Sequence, residues 1–467
     1  MIYTIDQQEA LASMILWSNA DITKAEDLLY TLDGAAGTGK TTIVREFLQR
    51  LNLKASKIAV TAPTHKAKKV IQDATDYNSQ TIQKLLGLRP DVNMDDFDVN
   101  KPVFNPLAED EIQYYKFVII DESSMLNKEA YKLIKERAIK YKVKIIFLGD
   151  AYQLPPINEK ISMVFSDVIN KSTLTTIVRQ GDDNPMSIIL KMLRADIKYG
   201  TENGIKKLIE IQKHIENEKG FHCLSSKLDE NYGTTTFGSE LLPYYFSTEY
   251  TVNKNFIKFL AYTNDSIEQW SKALRDKLLK EDANNIINVG EVLTGYVSIT
   301  DRKTNILVIE NSEDYTVTEV IEGISNFGVQ GFFVRLENSR GSTKTVFIVD
   351  HNNIEVFKEI CIAKLNLATS RRGSYWVAYY AFKNAHLLLK NVAKDDRRPI
   401  TEWGNLLCKK DLYYGYGCTV HKSQGSTYDN VAINLQNLYN NRDVSERARL
   451  VYVALSRTRN MNLILVK

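Results

Sequence analysis

The glycine-rich segment at residues 34–41, GAAGTGKT, constrains the fold more than any other part of the chain, because it matches the complete phosphate-binding pattern G-x-x-x-x-G-K-[ST]. An apolar run precedes it at residues 28–32, and apolar residues at helical spacing follow it at residues 43–48. A strand, a glycine turn and a helix N-terminus in this order direct backbone N–H groups at phosphates. The sequence therefore predicts a nucleoside triphosphate site in an α/β fold.

Four side chains are expected to carry the chemistry at this site. Lys40 would reach the outer phosphates, and the Thr41 hydroxyl would bind Mg²⁺. The apolar run Phe117–Ile120 delivers Asp121 and Glu122 to the same sheet edge. Asp121 would hold Mg²⁺ through its water shell, and Glu122 would orient and deprotonate the attacking water.

A further strand at residues 144–148 ends in the segment GDAYQLPP at residues 149–156. Gln153 would lie where a side-chain amide can sense the γ-phosphate, and the rigid Leu-Pro-Pro turn would carry that information to a bound ligand. Strands alternate with helices through the first 180 residues. This alternation predicts a doubly wound parallel sheet.

The composition excludes several classes of protein. At 467 residues and 53.3 kDa the chain exceeds one ordinary core, which predicts about two to four structural units. Its four cysteines are scattered without a C-x-x-C pair, so neither a zinc site nor a disulfide framework is expected. Asp6 and Glu9 stand where a signal peptide would be basic, and no apolar run is long enough to span a bilayer. We therefore expect a cytoplasmic protein with no membrane contact.

The remaining sequence divides by pattern. Residues 88–112 are acidic and contain three prolines, and a long non-periodic loop in a compact domain is usually functional or disordered. A strand at residues 257–262 begins a second α/β unit. Short strand-like runs in residues 289–349 suggest a small β barrel, and residues 355–412 turn to helical patterns rich in Lys, Arg and aromatic residues.

Two arginines are candidates for an arginine finger, a permanently charged group that a second domain supplies to the phosphates. Arg457 lies in the segment LVYVALSRTR at residues 450–459, and Arg179 ends the run LTTIVR at residues 174–179. Either residue would complete the nucleotide site only when the two domains close on each other.

With these motifs in one order, the chain resembles superfamily 1 DNA helicases of the RecD-like branch, and most of all those of T-even bacteriophages. Residues 34–42, 62–67 and 121–122 resemble helicase motifs I, Ia and II. The later segments resemble motif III, the arginine segment after it, motif V and motif VI, at residues 149–153, 179–180, 419–425 and 453–459 respectively. The resemblance covers both motor domains of the family.

The resemblance implies an α/β fold of two RecA-like P-loop motor domains with parallel sheets. The first motor domain would span residues 1–180, and the second would span residues 181–288 and 413–467. The inserted elements would be a hairpin pin at about residues 88–112 that splits the duplex, an SH3-like β barrel at residues 289–354 and a helical tower at residues 355–412.

The resemblance also implies roles for individual residues, beginning with Gln7 as the adenine-reading glutamine and Gln8 as its alternative. The nucleotide-site residues would be Gln7, Ala36, Gly37, Thr38, Gly39, Lys40, Thr41, Thr42 and Gly425, with ATP as the nucleotide and with Mg²⁺ at Thr41 and Asp121. The catalytic residues would be Lys40, Glu122, Gln153, Arg179 and Arg457. The segments that face single-stranded DNA carry Pro63, Thr64, His65, Thr81, Thr419 and His421.

The implied activity is that of an ATP-dependent DNA helicase with a DNA-stimulated ATPase. It would translocate on single-stranded DNA from 5′ to 3′ and unwind duplex DNA in replication or recombination. The expected partners are single-stranded DNA, duplex junctions and single-stranded-DNA-binding or replication proteins. We expect activity as a monomer.

Two alternatives stay open on the sequence. An RNA helicase or a protein-displacing translocase would use the same phosphate contacts, which do not distinguish DNA from RNA. A nucleotide-gated nucleic-acid-binding module would have less need of Glu122, Gln153 and two candidate arginine fingers together. The net charge of +3 does not distinguish these alternatives from a DNA helicase, because a mildly basic chain neither implies nor excludes a polyanionic partner.

Overall fold

The computed structural model describes residues 3–51, 53–62, 71–72, 75, 77, 79–89, 109–178, 185–212, 221–225, 228–229, 234–301, 304 and 306–466. The chain divides into two compact units. The first unit comprises residues 1–267 and 418–467, and the second comprises residues 268–417. Within the described ranges, no helix is long and apolar enough to cross a membrane.

The first unit contains a six-stranded parallel sheet, here called the first sheet, which carries the phosphate-binding segment. Its strands are β1 (Leu29–Gly34), β2 (Ile58–Ala62), β3 (Ser79–Thr81), β4 (Phe117–Ile120), β5 (Lys144–Gly149) and β6 (Asn170–Leu174), in the order β3-β2-β4-β5-β1-β6. The helices of this region are α1 (Ile5–Asn19), α2 (Lys40–Arg50), α3 (Ile82–Leu85), α4 (Lys128–Tyr141) and α5 (Met163–Asp167).

The four inner strands of the first sheet, β2, β4, β5 and β1, are mainly apolar and buried on both faces, as expected of a parallel sheet covered by helices, whereas the edge strands β3 and β6 are polar. Tyr30 and Leu32 of β1 join a cluster with Phe47 of α2, whereas Leu29 joins a different cluster with Tyr131 of α4. Because successive side chains of a strand alternate between faces, such a sheet requires uninterrupted apolar runs. The two runs predicted as strands at residues 117–120 and 144–148 are strands in the structure.

The three strands that carry the nucleotide motifs are direct neighbours, in the order β4-β5-β1. Asp33 of β1 is paired with Gly149 of β5, so the strands end at nearly the same height. The phosphate loop, Asp121 and Asp150 therefore leave the sheet at one edge, which is the edge where parallel α/β sheets bind ligands.

A second parallel sheet, here called the second sheet, completes the first unit. Its strands are β7 (Phe221–Ser225), β10 (Ile257–Ala261), β20 (Gly417–Thr419), β21 (Tyr428–Asn434) and β22 (Thr458–Val466), in the order β20-β10-β21-β22-β7. Near it in sequence are β8 (Leu228–Asp229), β9 (Thr234–Thr235), α6 (Pro185–Tyr199), α7 (Asn203–Gln212), α8 (Thr236–Phe246), α9 (Thr248–Val252), α13 (Leu435–Leu438) and α14 (Val444–Leu455). Leu193 of α6, Val431 of β21 and Leu450 of α14 share one buried core.

The second unit is built on an antiparallel sheet. Its strands are β11 (Val292–Gly295), β14 (Asp314–Ile324), β15 (Gln330–Asn338), β16 (Thr343–Val349) and β19 (Leu412–Tyr414), in the order β16-β15-β14-β11-β19. The pairs β12 (Ile299–Thr300) with β13 (Leu307–Ile309) and β17 (Val392–Ala393) with β18 (Leu406–Cys408) are also antiparallel. The helices are α10 (Asn264–Leu279), which begins in the first unit, α11 (Glu355–Arg371) and α12 (Ser374–Ala385).

The helical pattern predicted for residues 355–412 is observed only as far as residue 385. Beyond it the chain forms β17, β18 and β19, and β19 pairs with β11. The physical reason is local, because Pro399 and Gly404 disfavour a helix and the run Leu-Tyr-Tyr of β19 suits a buried strand.

The predicted fold class, α/β with two parallel sheets, is confirmed. The boundaries assigned to the motor domains, the barrel and the tower stay predictions, and the compact second unit is wider than the two predicted insertions together. Most of the predicted pin, at residues 90–108, lies outside the described residues.

Candidate functional site

The phosphate loop is shaped by left-handed glycines and by a buried glutamine from α1. Gly37 and Gly39 have φ angles of 82° and 81°, which other residues rarely adopt. A Cβ atom on Gly39 would also lie 2.7 Å from Nε2 of Gln7. Gln7 is buried and donates to the carbonyl of Thr38 at 2.9 Å, whereas Gln8 is exposed. The structure thus brings Gln7 to the loop, and not its neighbour.

Lys40 begins α2 and its ammonium turns back onto the loop. Nζ donates to the carbonyl oxygens of Gly34 and Ala35 at 2.6 and 3.1 Å. The hydroxyl of Thr38 also donates to Ala35, at 2.9 Å, which closes the loop on itself. The other predicted residues here, Ala36, Thr41 and Thr42, are partly exposed at the loop and the helix start. The cation therefore lies against the loop that would hold the phosphates.

Asp121 and Glu122 follow β4 at the same sheet edge, and both are partly buried. The Glu122 N–H donates to Oδ1 of Asp121 at 2.8 Å. Glu122 has a left-handed backbone with φ 49°, a strained conformation of the kind that clusters at functional sites. Burial and then the Glu122 carboxylate raise the pKa of Asp121. A cation beside this pair would relieve the unfavourable charge.

Asp150 follows β5 directly, is fully buried and accepts three hydrogen bonds. The Tyr452 hydroxyl donates to it at 2.6 Å, Nη1 of Arg194 at 3.1 Å and the backbone N–H of Tyr152 at 3.0 Å. Nη1 of Arg194 also donates to the Tyr452 hydroxyl at 3.1 Å, which closes a triangle. Because Arg194 lies on α6 and Tyr452 on α14, this one carboxylate connects the first sheet to helices packed on the second.

The groups of this cluster change one another's pKa values. Burial and then the Asp150 carboxylate raise the pKa of Tyr452 well above its usual value, so the hydroxyl keeps its proton. Burial lowers the pKa of Arg194, but Asp150 and Tyr452 raise it overall. Burial and then Asp150 raise the pKa of Asp33 as well. Asp33, Asp150, Arg194 and Tyr452 are therefore coupled electrostatically.

The backbone of residues 150–154 is held from two sides. Oδ1 of Asp33, one residue before the phosphate-binding pattern, accepts from the Ala151 N–H at 2.9 Å. Nη1 of Arg449, on α14, donates to the carbonyl oxygens of Ala151 and Gln153, both at 2.7 Å. The segment is thus bonded to the phosphate-binding strand on one side and to the second sheet's helix on the other.

Gln153 itself is 5% exposed, and its side-chain Oε1 has no hydrogen-bond partner among the described residues. The carbonyl of the next residue, Leu154, accepts from Nε2 of Gln424 at 3.0 Å. A buried amide oxygen without a partner costs free energy. A water bound beside a nucleotide would supply the missing donor, and the predicted sensing of the γ-phosphate by Gln153 stays a prediction.

Arg457 follows α14 and is 4% exposed. Nε donates to the carbonyl of Val453 at 3.2 Å and Nη1 to that of Ser426 at 3.4 Å, next to Gly425. Within the described ranges Nη2 has no partner, and no hydrogen bond joins Arg457 to the phosphate loop. A buried guanidinium with a spare donor suits an anionic ligand.

Arg179 lies outside the described residues, but the segment before it is fixed to the phosphate loop. The N–H of Val178 donates to the carbonyl of Gly37 at 2.9 Å. Oδ2 of Asp6, on α1, accepts from the N–H groups of residues 175–176 at 2.7 and 2.9 Å. The chain that leads to Arg179 is therefore held against the loop and against the helix that carries Gln7.

Three of the residues predicted to face DNA, Pro63, Thr64 and His65, lie outside the described residues. Thr81 ends β3, paired with Ala62 of β2, and its hydroxyl accepts from the Lys84 N–H at 3.3 Å as a helix cap. Thr419 ends β20 and its hydroxyl accepts from the Lys422 N–H at 3.4 Å. Thr81 and Thr419 are both about 8% exposed, as befits residues that shape backbone turns.

His421 lines a cavity of about 540 Å³ together with the Leu-Pro-Pro segment and the start of α14. Its side chain is 42% exposed, and Nε2 lies 4.0 Å from Oε1 of Glu446. Burial lowers the pKa of His421 although Glu446 opposes the shift. The lowered pKa favours the neutral imidazole, which offers a hydrogen bond rather than a charge.

These residues fit a nucleoside triphosphate with Mg²⁺. Mg²⁺ is usually bound by one or two carboxylates together with substrate phosphates and waters. Thr41 and Asp121 supply a hydroxyl and a carboxylate at one sheet edge, and Lys40 supplies the cation for the phosphates.

Four residues of this site were not predicted from the sequence: Asp33, Arg194, Arg449 and Tyr452. Arg449 and Tyr452 lie three residues apart on one helix just before Arg457, and this spacing places them on one helix face. That face was a detectable signal. Arg194 carries no comparable signal, because its partner Asp150 is distant in the sequence.

The fold and the site define a P-loop nucleoside triphosphatase. Residues 17–210 match a family model described as an AAA domain, and residues 414–466 match one described as a UvrD-like helicase C-terminal domain. The chain is 22% identical to the ATP-dependent DNA helicase Dda of Enterobacteria phage T4, over 92% of each chain. It is also 22% identical to the uncharacterised protein R530 of Acanthamoeba polyphaga mimivirus, over 92% of this chain and 93% of that one.

Among solved structures, Pif1 helicase from Bacteroides in complex with ADP-AlF3 and single-stranded DNA has a similar fold. The TM-score is 0.50 at 17% identity, and the match covers 99% of this chain and 92% of that chain. The chain is thus similar to superfamily 1 helicases related to Dda, RecD2 and Pif1, which confirms the resemblance predicted from the order of its motifs.

Proposed function

We propose that this protein is an ATP-dependent DNA helicase that translocates along single-stranded DNA from 5′ to 3′ and unwinds duplex DNA. One observation carries the proposal. Residues 150–154 are bonded to Asp33 beside the phosphate loop, and the segment that follows lines the cavity that contains His421. A segment that touches both a nucleotide site and a nucleic-acid face can turn hydrolysis into movement.

On the nucleotide side, the chain's residues have distinct tasks. Gln7 orients the loop and reads the adenine, and Lys40 neutralises the outer phosphates. Glu122 accepts the proton of the attacking water, which Gln153 holds through its free amide oxygen. Mg²⁺, held by Thr41 and Asp121, would neutralise the charge that develops on the phosphates.

Arg457 and Arg179 supply the arginines of the closed site. Arg457 is held by its own helix and by the segment next to Gly425, so it moves with the second sheet. Its spare donor would bond a phosphate oxygen when the two sheets approach, and hydrolysis would remove that bond. Closure of the two sheets and ATP hydrolysis are then coupled through this one contact.

On the DNA side, the cavity that contains His421 is lined by charged groups as well as uncharged ones, Lys160 and Arg449 among them. The His421 imidazole lies in this cavity beside the Leu-Pro-Pro turn, while the buried Thr81 and Thr419 accept backbone hydrogen bonds in the turns that follow β3 and β20. Backbone contacts of this kind tolerate any base sequence, and their affinity falls with salt where phosphates are neutralised. Pro63, Thr64 and His65 are proposed to extend this face.

Several further features remain proposals. The pin at residues 88–112 would split the duplex at a junction. Single-stranded-DNA-binding or replication proteins would act beside the helicase, the active form would be a monomer, and the location would be cytoplasmic.

An unwinding assay tests the proposal directly. Duplexes with a 5′ or a 3′ single-stranded tail, made of DNA or RNA, are incubated with the protein with and without ATP. We expect strand separation only with ATP and only from the 5′ DNA tail. Unwinding from the 3′ tail would refute the polarity, and preference for the RNA tail or failure to open any duplex would refute the DNA helicase assignment.

A further inference from the structure

Three side chains, the buried Tyr452 and the partly buried Arg194 and Arg449, bind the segment at residues 150–154 without any place in the nucleotide chemistry. Tyr452 is 1% exposed on α14, and Arg194 and Arg449 are charged groups from α6 and α14. Isolated buried charges are unfavourable, and a pair is tolerated only when each polar atom is satisfied. Their arrangement therefore calls for an explanation beyond packing.

The carboxylate of Asp150 is satisfied only when both helices are in place. Oδ2 accepts from the Tyr452 hydroxyl, and Oδ1 accepts from Arg194 and from the N–H of Tyr152. Of these three donors only Tyr152 belongs to the segment itself. Withdrawal of α14 or α6 would leave a buried carboxylate short of donors, so the position of the segment depends on the position of those helices.

The segment in turn fixes two parts of the nucleotide site. Gln153 lies three residues after Asp150, and Asp33 bonds to the intervening Ala151 next to the phosphate loop. Helices α6 and α14 share a buried core with β21 of the second sheet. A continuous set of hydrogen bonds thus runs from the second sheet's helices to the residue that is proposed to hold the attacking water.

We propose that Asp150, Arg194 and Tyr452 form a latch that positions Gln153 for hydrolysis only when the second sheet's helices are docked, and so makes ATP turnover depend on bound DNA. The inference rests on the proposed function. The three latch residues are positioning residues, since none touches the reacting atoms. Arg449 supports the same segment, because its Nη1 donates to two backbone carbonyls.

The chain offers a matched control for the test. Tyr131 of α4 is also 1% exposed and also donates to an aspartate, Oδ2 of Asp167, at 2.6 Å. Tyr131 packs in the core on the α4 side of the first sheet and has no contact with residues 150–154 among its described partners. Tyr452→Phe and Tyr131→Phe therefore remove the same chemical bond at two places, one in the latch and one outside it.

The measurement is kcat and KM for ATP as a function of oligo-dT concentration, with thermal unfolding of each variant as a check of folding. We expect Tyr452→Phe to lower the DNA-stimulated kcat about tenfold, the loss of one hydrogen bond to a charged group, with KM for ATP changed less than about twofold. Tyr131→Phe should keep the parent's kinetic constants even if its melting temperature falls.

A second variant, Arg194→Lys, keeps the positive charge, and it tests the proposed latch if Tyr452→Phe does not fold. Its stimulated kcat should also fall, and the double variant should lose less than the product of the two single losses, because both act on one carboxylate. A stimulated kcat equal to the parent's in either folded latch variant would overturn the latch alone. A parent protein whose ATPase does not respond to DNA would overturn both the latch and the proposed function.

Discussion

Two buried groups of the same composition occur in the two units, and they are built differently. In the first unit Asp150 binds Arg194 through one nitrogen and also accepts from Tyr452. In the second unit Glu291 binds Arg275 through two nitrogens, at 2.7 and 3.0 Å, and accepts from the Tyr416 hydroxyl at 3.1 Å. Each group contains a carboxylate, a guanidinium and a phenol.

The two arginines also differ in their contacts with backbone carbonyls and aromatic rings. Arg275 also donates to the carbonyl oxygens of Ala283 and Asn285, at 3.2 and 2.9 Å, and its Cζ lies 4.1 Å from the centre of the Tyr414 ring. Ala283, Asn285 and Glu291 lie close to Arg275 in the chain, and Tyr414 lies on β19. Arg194 has no such set of backbone acceptors among its described hydrogen bonds.

The same three kinds of side chain therefore serve two purposes in the two units. A two-point ion pair in which every guanidinium nitrogen is bonded fixes a shape, because no alternative arrangement satisfies the buried charges as well. A one-point pair that spans two sheets needs both sheets for its donors and is suited to a part that moves. We therefore expect substitutions to change turnover in the first unit and folding stability in the second.

The largest effect should come from Lys40 in the first unit. Lys40→Ala removes the cation that lies on the phosphate loop, and we expect DNA-stimulated ATP hydrolysis to fall by at least about a hundredfold. Stability should change little. Steady-state ATPase assays with oligo-dT check this, with Lys132→Ala as the control, because Lys132 is an exposed lysine on α4. Turnover near the parent rate in Lys40→Ala would contradict the whole nucleotide site.

The next effect should be one of stability in the second unit. Arg275→Ala leaves Glu291 buried without its cation, and we expect a loss of about 3–5 kcal/mol in the free energy of unfolding of that unit. Arg335→Ala is the control, because Arg335 pairs with Glu319 at 3.7 Å on the exposed face of the same sheet and should cost less than about 1 kcal/mol. Urea unfolding measures both. Equal costs would show that the Glu291 group is not structural.

The smallest effect is a pH dependence in the second unit. Nε2 of His351 accepts from the N–H groups of Leu389 and Lys390, at 3.1 and 3.2 Å, and accordingly must be neutral. Burial and then Lys390 lower the pKa of His351 from 6.5 to about 4. The unfolded chain therefore binds the proton first, and stability is lost as the pH falls from 6.5 towards 4.

For His351 we expect a loss of about 1 kcal/mol between pH 7 and pH 5.5. His351→Gln keeps an acceptor that does not titrate, so its stability should fall less over the same range. Thermal unfolding of parent and variant across these pH values measures the difference. Parallel curves would mean that His351 titrates normally in the folded protein.

The sequence predicted what is local and missed what is distant. The phosphate loop, the strand Phe117–Ile120 and the pair Asp121-Glu122 are contiguous patterns, and the structure brings them to one edge. The contacts of Asp150 with α6 and α14 and the pairing of β19 with β11 join residues far apart in the chain. Such pairings leave no periodic signal, because they depend on how the elements pack and not on neighbouring residues.

One bond that joins the phosphate loop to the segment before Arg179 is made without side chains. The N–H of Val178 donates to the carbonyl of Gly37, just before Arg179. Any residue except proline supplies that N–H, so nearly every substitution at position 178 preserves the connection. The link between the loop and the arginine segment is therefore kept when the side chain at position 178 changes during evolution. Alanine scanning would not detect it, because alanine supplies the same N–H.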